Sequence, residues 1–217
     1  MSERTTTIET TRGPVSAAVD GAGGPVLVLA HGAGGDLAGP LLRGFAEGAS
    51  AAGVRCLRFN FRYTEEGRRG PDREPALREV WTAAFEAGRE LGSPVWVGGK
   101  SMGGRIASMM VADGELDAAG LVFVGYPLHP PGKPERIRDA HLPAIRVPML
   151  FIQGTADAFA RWDLLEGVLD RLGKRATLHP VEGGDHSFRV RGGPKDAAGT
   201  GSALGEVAAR FILEERG

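Results

Sequence analysis

Apolar positions in this chain gather into short continuous runs, and between the runs they recur at helical spacing. The runs Pro25 to Ala30, Val54 to Phe61, Pro94 to Gly98, Gly120 to Val124, Pro148 to Ile152 and Ala176 to Val181 have the unbroken apolar character of strands covered on both faces. Two earlier runs, Thr5 to Thr11 and Val15 to Val19, flank Arg12-Gly13-Pro14 and predict an antiparallel hairpin at a sheet edge. Leu77, Val80, Trp81, Ala84 and Phe85 form one stripe of a helix from Pro75 to Leu91. Similar stripes predict helices from Phe159 to Leu172, stopped by Gly173, and from Ser202 to Glu215.

Strands alternating with helices predict an α/β fold with a mostly parallel sheet of about eight strands and helices on both faces. No repeat, long linker or composition break divides the chain, so residues 1–217 are expected to form one domain. The irregular stretches Tyr63 to Glu74 and Tyr126 to Ile145 each follow a strand and should lie at the carboxyl edge of the sheet, where open α/β folds place their sites. Leu128 to Leu142 is long enough for a short flap and too short for a cap domain.

Hydrophobic residues at 42% and charged residues at 24% give the balance of a globular protein. With 26 basic against 27 acidic side chains, no net field favours nucleic acid or an anionic membrane. The single cysteine, Cys56, excludes an internal disulfide and any multi-cysteine metal site, and its apolar setting reads as core. No cofactor and no metal are expected. The first residues lack the apolar stretch of a secretory signal, and no segment approaches a membrane span, so a cytoplasmic protein is expected.

The candidate chemistry begins where the strand Pro94 to Gly98 runs into Gly99-Lys100-Ser101-Met102-Gly103-Gly104 and then into a helix carrying Ile106, Ala107, Met109 and Met110. Strand, tight turn and helix are the setting that a G-x-S-x-G motif needs, with Gly99 and Gly103 allowing the elements to approach. Ser101 is the candidate nucleophile, and the Met102 N–H, at the helix start, is a candidate oxyanion donor. In the layout that accompanies such an elbow, a second donor comes from the loop after an earlier strand. Here that loop is His31-Gly32-Ala33-Gly34-Gly35, with Gly32 as motif glycine and the Ala33 N–H as donor.

Asp157 follows a late strand through Gln153-Gly154-Thr155-Ala156, the place for a carboxylate that orients a histidine. His186 sits in Gly183-Gly184-Asp185-His186-Ser187-Phe188, between the last strand and the last helix, and is the candidate general base. The order Ser, Asp, His differs from the chymotrypsin and subtilisin orders and fits the elbow arrangement. His129, His141 and His179 read as structural.

Taken together, these motifs resemble the α/β-hydrolase superfamily in its smallest, lidless form. More narrowly, Arg58 to Tyr63, Gly70 to Arg73, Gly99 to Gly104, Tyr126 to Lys133, Phe151 to Asp157 and Asp185 to Phe188 resemble the branch containing testis-expressed protein thirty and the third regulatory subunit of the non-specific-lethal complex. The chain is similar, more distantly, to dienelactone hydrolases, whose usual cysteine nucleophile is here Ser101. The resemblance implies an α/β-hydrolase fold and a serine hydrolase acting on small ester or thioester acyl substrates. Its alternative is a non-catalytic interaction module that retains the fold.

Gly98-Gly99-Lys100-Ser101 also imitates part of a phosphate-binding loop, but Pro94 stands where that motif needs its first glycine. Lys100 is therefore expected to point away from the nucleophile as a surface or loop-anchoring cation. Arg62 and Arg69, in the loop after the fourth strand, are candidate substrate-binding residues, with Arg68 and Arg73 beside them.

Overall fold

The computed structural model describes residues 3–215. Among them lie eight strands: β1 (Arg4–Ile8), β2 (Val15–Asp20), β3 (Val26–Ala30), β4 (Arg55–Phe59), β5 (Val95–Lys100), β6 (Leu121–Val124), β7 (Met149–Gly154) and β8 (Ala176–Val181). They form one sheet in the order β1-β2-β4-β3-β5-β6-β7-β8. β1 pairs antiparallel with β2 and β2 antiparallel with β4, while the remaining pairs are parallel. Strand order reverses direction at β3, which has β4 on one side and β5 on the other. A crevice opens at such a reversal, and the end of β5 lies on it.

Helices α1 (Pro40–Ala51) and α6 (Ala197–Glu214) cover one face of the sheet. α3 (Glu74–Leu91), α4 (Met102–Ala112) and α5 (Trp162–Leu172) cover the other, and the single turn α2 (Arg62–Glu65) follows β4. Every residue of β3, β6 and β7 is buried, as continuous apolar runs between two helical layers require. The segment between β6 and β7 carries one 3-10 turn, Leu142–Ala144, and packs down through buried Tyr126, Leu128 and Leu142, so among the described residues no cap domain covers the sheet edge. No helix among the described residues is long and apolar enough to cross a membrane.

Among the boundaries that differ from the reading of the sequence, three have a clear local reason. β1 ends at Ile8 rather than Thr11 because Thr10 and Gly13 close a turn, with the Gly13 N–H donating to the Thr10 carbonyl at 3.1 Å. β5 runs on through both glycines to Lys100, since Gly99 and Lys100 still pair with Phe123 and Val124 of β6. α6 starts five residues early because Asp196 caps it, its carboxylate accepting from the Gly199 N–H at 2.8 Å.

α1 has no counterpart among the predicted helices, and its packing explains why. A Cβ on Gly44 would lie 2.1 Å from the Ala198 carbonyl oxygen, and one on Gly48 would lie 2.0 Å from that of Ser202. Reciprocally, Cβ atoms on Gly201 and Gly205 would meet the carbonyls of Leu41 and Phe45 at 2.2 and 2.0 Å. Two Gly-x-x-x-Gly stripes thus let α1 and α6 approach backbone to backbone, a distance at which Cα–H groups contact carbonyl oxygens.

Inside the fold, the Ser108 hydroxyl donates to the Arg105 carbonyl at 2.8 Å and meets His141 Nε2 at 2.8 Å. Burial, then the neighbouring Arg105 cation, lowers the His141 pKa from 6.5 to about 4. The unfolded chain therefore binds a proton between these values that the native state refuses, so the contribution is complete above pH 6.5 and is lost as pH falls toward 4. His141→Gln should flatten the acid limb of a plot of Tm against pH over that interval. Parallel curves for the two proteins would contradict this assignment.

Candidate active site

Ser101 occupies the turn between β5 and α4 with φ 51° and ψ −113°, a left-handed conformation that non-glycine residues avoid. The turn is tight enough that a Cβ on Gly99 would sit 2.2 Å from the Ala30 carbonyl oxygen. One on Gly103 would lie 2.7 Å from the carbonyl oxygens of both Ala30 and His31. Strand β3 therefore presses directly against the elbow and holds Ser101 at the sheet edge.

The three candidate residues separated along the chain meet there. Ser101 Oγ lies 2.9 Å from His186 Nε2, and His186 Nδ1 lies 2.7 Å from Asp157 Oδ2. The Asp157 side chain is fully buried, whereas that of His186 is 20% exposed, so the imidazole keeps contact with solvent while the carboxylate that holds it has none. Phe159 stacks on the imidazole with ring centroids 4.1 Å apart. Asp185 stiffens the loop, its Oδ1 accepting from the N–H groups of Ser187 and Arg189 at 2.8 and 2.9 Å.

Asp157 is itself fixed by two donors. Phe159 N–H reaches Oδ1 at 2.7 Å, and the Gln153 amide donates to Oδ2 at 2.6 Å. Gln153 is fully buried on β7, and its carbonyl oxygen accepts the Tyr126 N–H at 2.8 Å. Sequence reading passed over Gln153. Its signal is a long polar side chain four residues before Asp157 at the end of an apolar strand.

The loop after β3 abuts the elbow, since a Cβ on Gly32 would come within 3.5 Å of Ser101 Cβ. Among the described residues neither the Ala33 nor the Met102 N–H donates to a protein acceptor. His31 anchors this loop from below. Phe61 N–H donates to its Nε2 at 3.2 Å, which leaves Nδ1–H to donate to the Gly32 carbonyl at 2.8 Å. Burial lowers the His31 pKa and keeps the ring neutral in this role. His129 is likewise structural, accepting the Arg161 N–H at 2.8 Å.

One of the basic residues, Arg62, falls differently from expectation. Arg62 turns to the β1–β2 hairpin, where it pairs with Glu66 at 3.2 Å and donates to the Pro14 carbonyl at 3.1 Å. Arg68 is held by Glu66 and Asp72, while exposed Arg69 lies across from Gly34, its carbonyl 3.8 Å from where a Cβ there would be. Lys100, by contrast, is half-buried rather than a surface cation, its Cγ 3.4 Å from the Gly32 Cβ position and its Nζ 5.9 Å from the Phe188 ring centre. Burial pushes its ammonium down to about 8, against the opposing pull of Asp157 and Asp185.

The family model for an alpha/beta hydrolase domain matches residues 23–210, nearly the whole chain. The chain belongs to the alpha/beta hydrolase family. Solved structures share the fold of this hydrolase over almost its full length. A serine hydrolase without a lid from Xanthomonas campestris aligns with a TM-score of 0.71 at 21% identity, covering 97% of this chain and 95% of that one. A dienelactone hydrolase from Anabaena variabilis gives 0.73 at 19% identity over 98% and 97%. The esterase domain of a Rhodothermus marinus protein gives 0.71 at 16% identity over 99% of both.

Proposed function

We propose that this hydrolase cleaves ester- or thioester-type acyl substrates through a serine nucleophile and an acyl-enzyme. The observation that carries the proposal is the unbroken hydrogen-bond chain from Ser101 through His186 to Asp157, at 2.9 and 2.7 Å, beyond the carboxyl end of β5. Buried Asp157 holds the proton on Nδ1, which leaves Nε2 free to take the proton of Ser101 as Oγ attacks the carbonyl carbon. The Ala33 and Met102 N–H groups, which have no protein acceptor among the described residues, receive the oxyanion of the tetrahedral intermediate. Collapse expels the alcohol or thiol with the proton from His186, and water repeats the sequence to release the acid. The segments Arg58 to Tyr63 and Tyr126 to Lys133 support placing the enzyme in the branch that contains testis-expressed protein thirty.

A panel of short acyl esters, thioesters and lactones, assayed with wild type and Ser101→Ala, tests the proposal. Turnover undiminished by the substitution would overturn it. The same assay tests Gln153. Gln153→Leu removes the amide donating to Asp157 and should lower kcat by about 10- to 100-fold with KM little changed, because the lost bond is to a charged group that positions the base. Wild-type kcat in a folded Gln153→Leu variant would contradict that role.

A further inference from the structure

Beside the elbow lies a cavity of about 280 Å³, whose walls include His31, Gly32, Leu42, Lys100, Ser187 and Arg189. Its position follows from the chain: Lys100 precedes Ser101, Ser187 follows His186, and Gly32 precedes Ala33. The cavity therefore borders the elbow and the loop that carries His186.

Two cations, Lys100 and Arg189, stand on the wall of this cavity with one carboxylate, Asp36. Lys100 and Arg189 have neither an ion pair nor a side-chain hydrogen bond among the described residues. The carboxylates nearest Lys100 are already engaged, Asp157 by His186 and Gln153, and Asp185 by the N–H groups of its own loop. Asp36, on the cavity wall, accepts from the Ala38 N–H at 2.9 Å. His31 is a neutral ring with both nitrogens occupied. Asp157 and Asp185 act on the Lys100 ammonium without pairing with it, and burial outweighs their pull, so an anionic ligand in direct contact adds a stabilisation that they do not supply.

We propose that this cavity is a subsite for an oxyanion group carried by the substrate, a carboxylate or a phosphate, with Lys100 and Arg189 as its recognition residues. The proposal deepens the hydrolase reading of Ser101, but its test does not depend on turnover. Ser101→Ala protein is titrated calorimetrically with monomethyl glutarate, with monobutyl phosphate and with the neutral methyl pentanoate. At least one anion should bind about tenfold more tightly than the neutral ester, a difference suited to a charge-assisted contact, and the better anion identifies the group. Adding Lys100→Met should abolish the preference. Adding Arg189→Gln, at an exposed position where folding is safe, should reduce it about threefold or more.

Equal affinity for anionic and neutral ligands, no saturable anion binding, or a preference untouched by both substitutions would overturn the subsite. Anion binding by Ser101→Ala together with no ester turnover by wild type would leave the subsite standing and overturn the hydrolase reading. Turnover of neutral esters with no anion preference would do the reverse.

Discussion

Alanine at position 101 should lower kcat/KM for any substrate of this enzyme by about 10⁵-fold, the scale on which loss of a serine nucleophile acts. The residual rate would come from the Ala33 and Met102 N–H groups and from substrate binding. The same position carries a second expectation of opposite sign. Ser101 is held at φ 51° and ψ −113°, and a conformation of that kind costs about 1–3 kcal/mol for a residue with a Cβ. Ser101→Gly should therefore unfold at a higher temperature than wild type while losing activity as completely as the alanine variant. A lower Tm for the glycine variant would show that the elbow is unstrained.

The largest effect on stability is expected at Gly48. A methyl group there would sit 2.0 Å from the Ser202 carbonyl, so α1 and α6 must separate to admit it. Gly48→Ala should cost about 3 kcal/mol or more, at the upper end of overpacking effects because the obstructing atom is backbone. Gly167 on α5 is the matched control. Its added Cβ would meet only the Arg171 guanidinium at 3.8 Å, so Gly167→Ala should stabilise by about 0.5–1 kcal/mol through helix propensity alone. Urea unfolding of both variants separates the effects, and equal midpoints would refute the close approach of the two helices.

These glycines also mark what the sequence concealed. β3, β6 and β7 were legible because burial on both faces demands continuous apolar runs. α1 and the first turn of α6 were not, since Gly44, Gly48, Gly199 and Gly201 depress helix propensity and interrupt the apolar stripe. The spacing of four between glycines on both segments was the available signal.

At the site, the approach of Ser101, Asp157 and His186 was legible because each ends or follows a strand and the chain order is diagnostic. Gln153 and Lys100 were not, because their roles depend on which way a strand residue faces and what packs above it. Arg62 shows the converse. Its loop follows β4, yet its side chain turns to the Pro14 carbonyl of the hairpin, a direction that no spacing along the chain reveals.

The central claim is that Ser101 is an activated nucleophile, and labelling by a fluorophosphonate with mass-spectrometric mapping tests it most directly. The native protein should gain one adduct, on Ser101, and His186→Ala should lose that labelling while remaining folded. An unlabelled Ser101 in folded wild type, or a rate of labelling unchanged in His186→Ala, would contradict it.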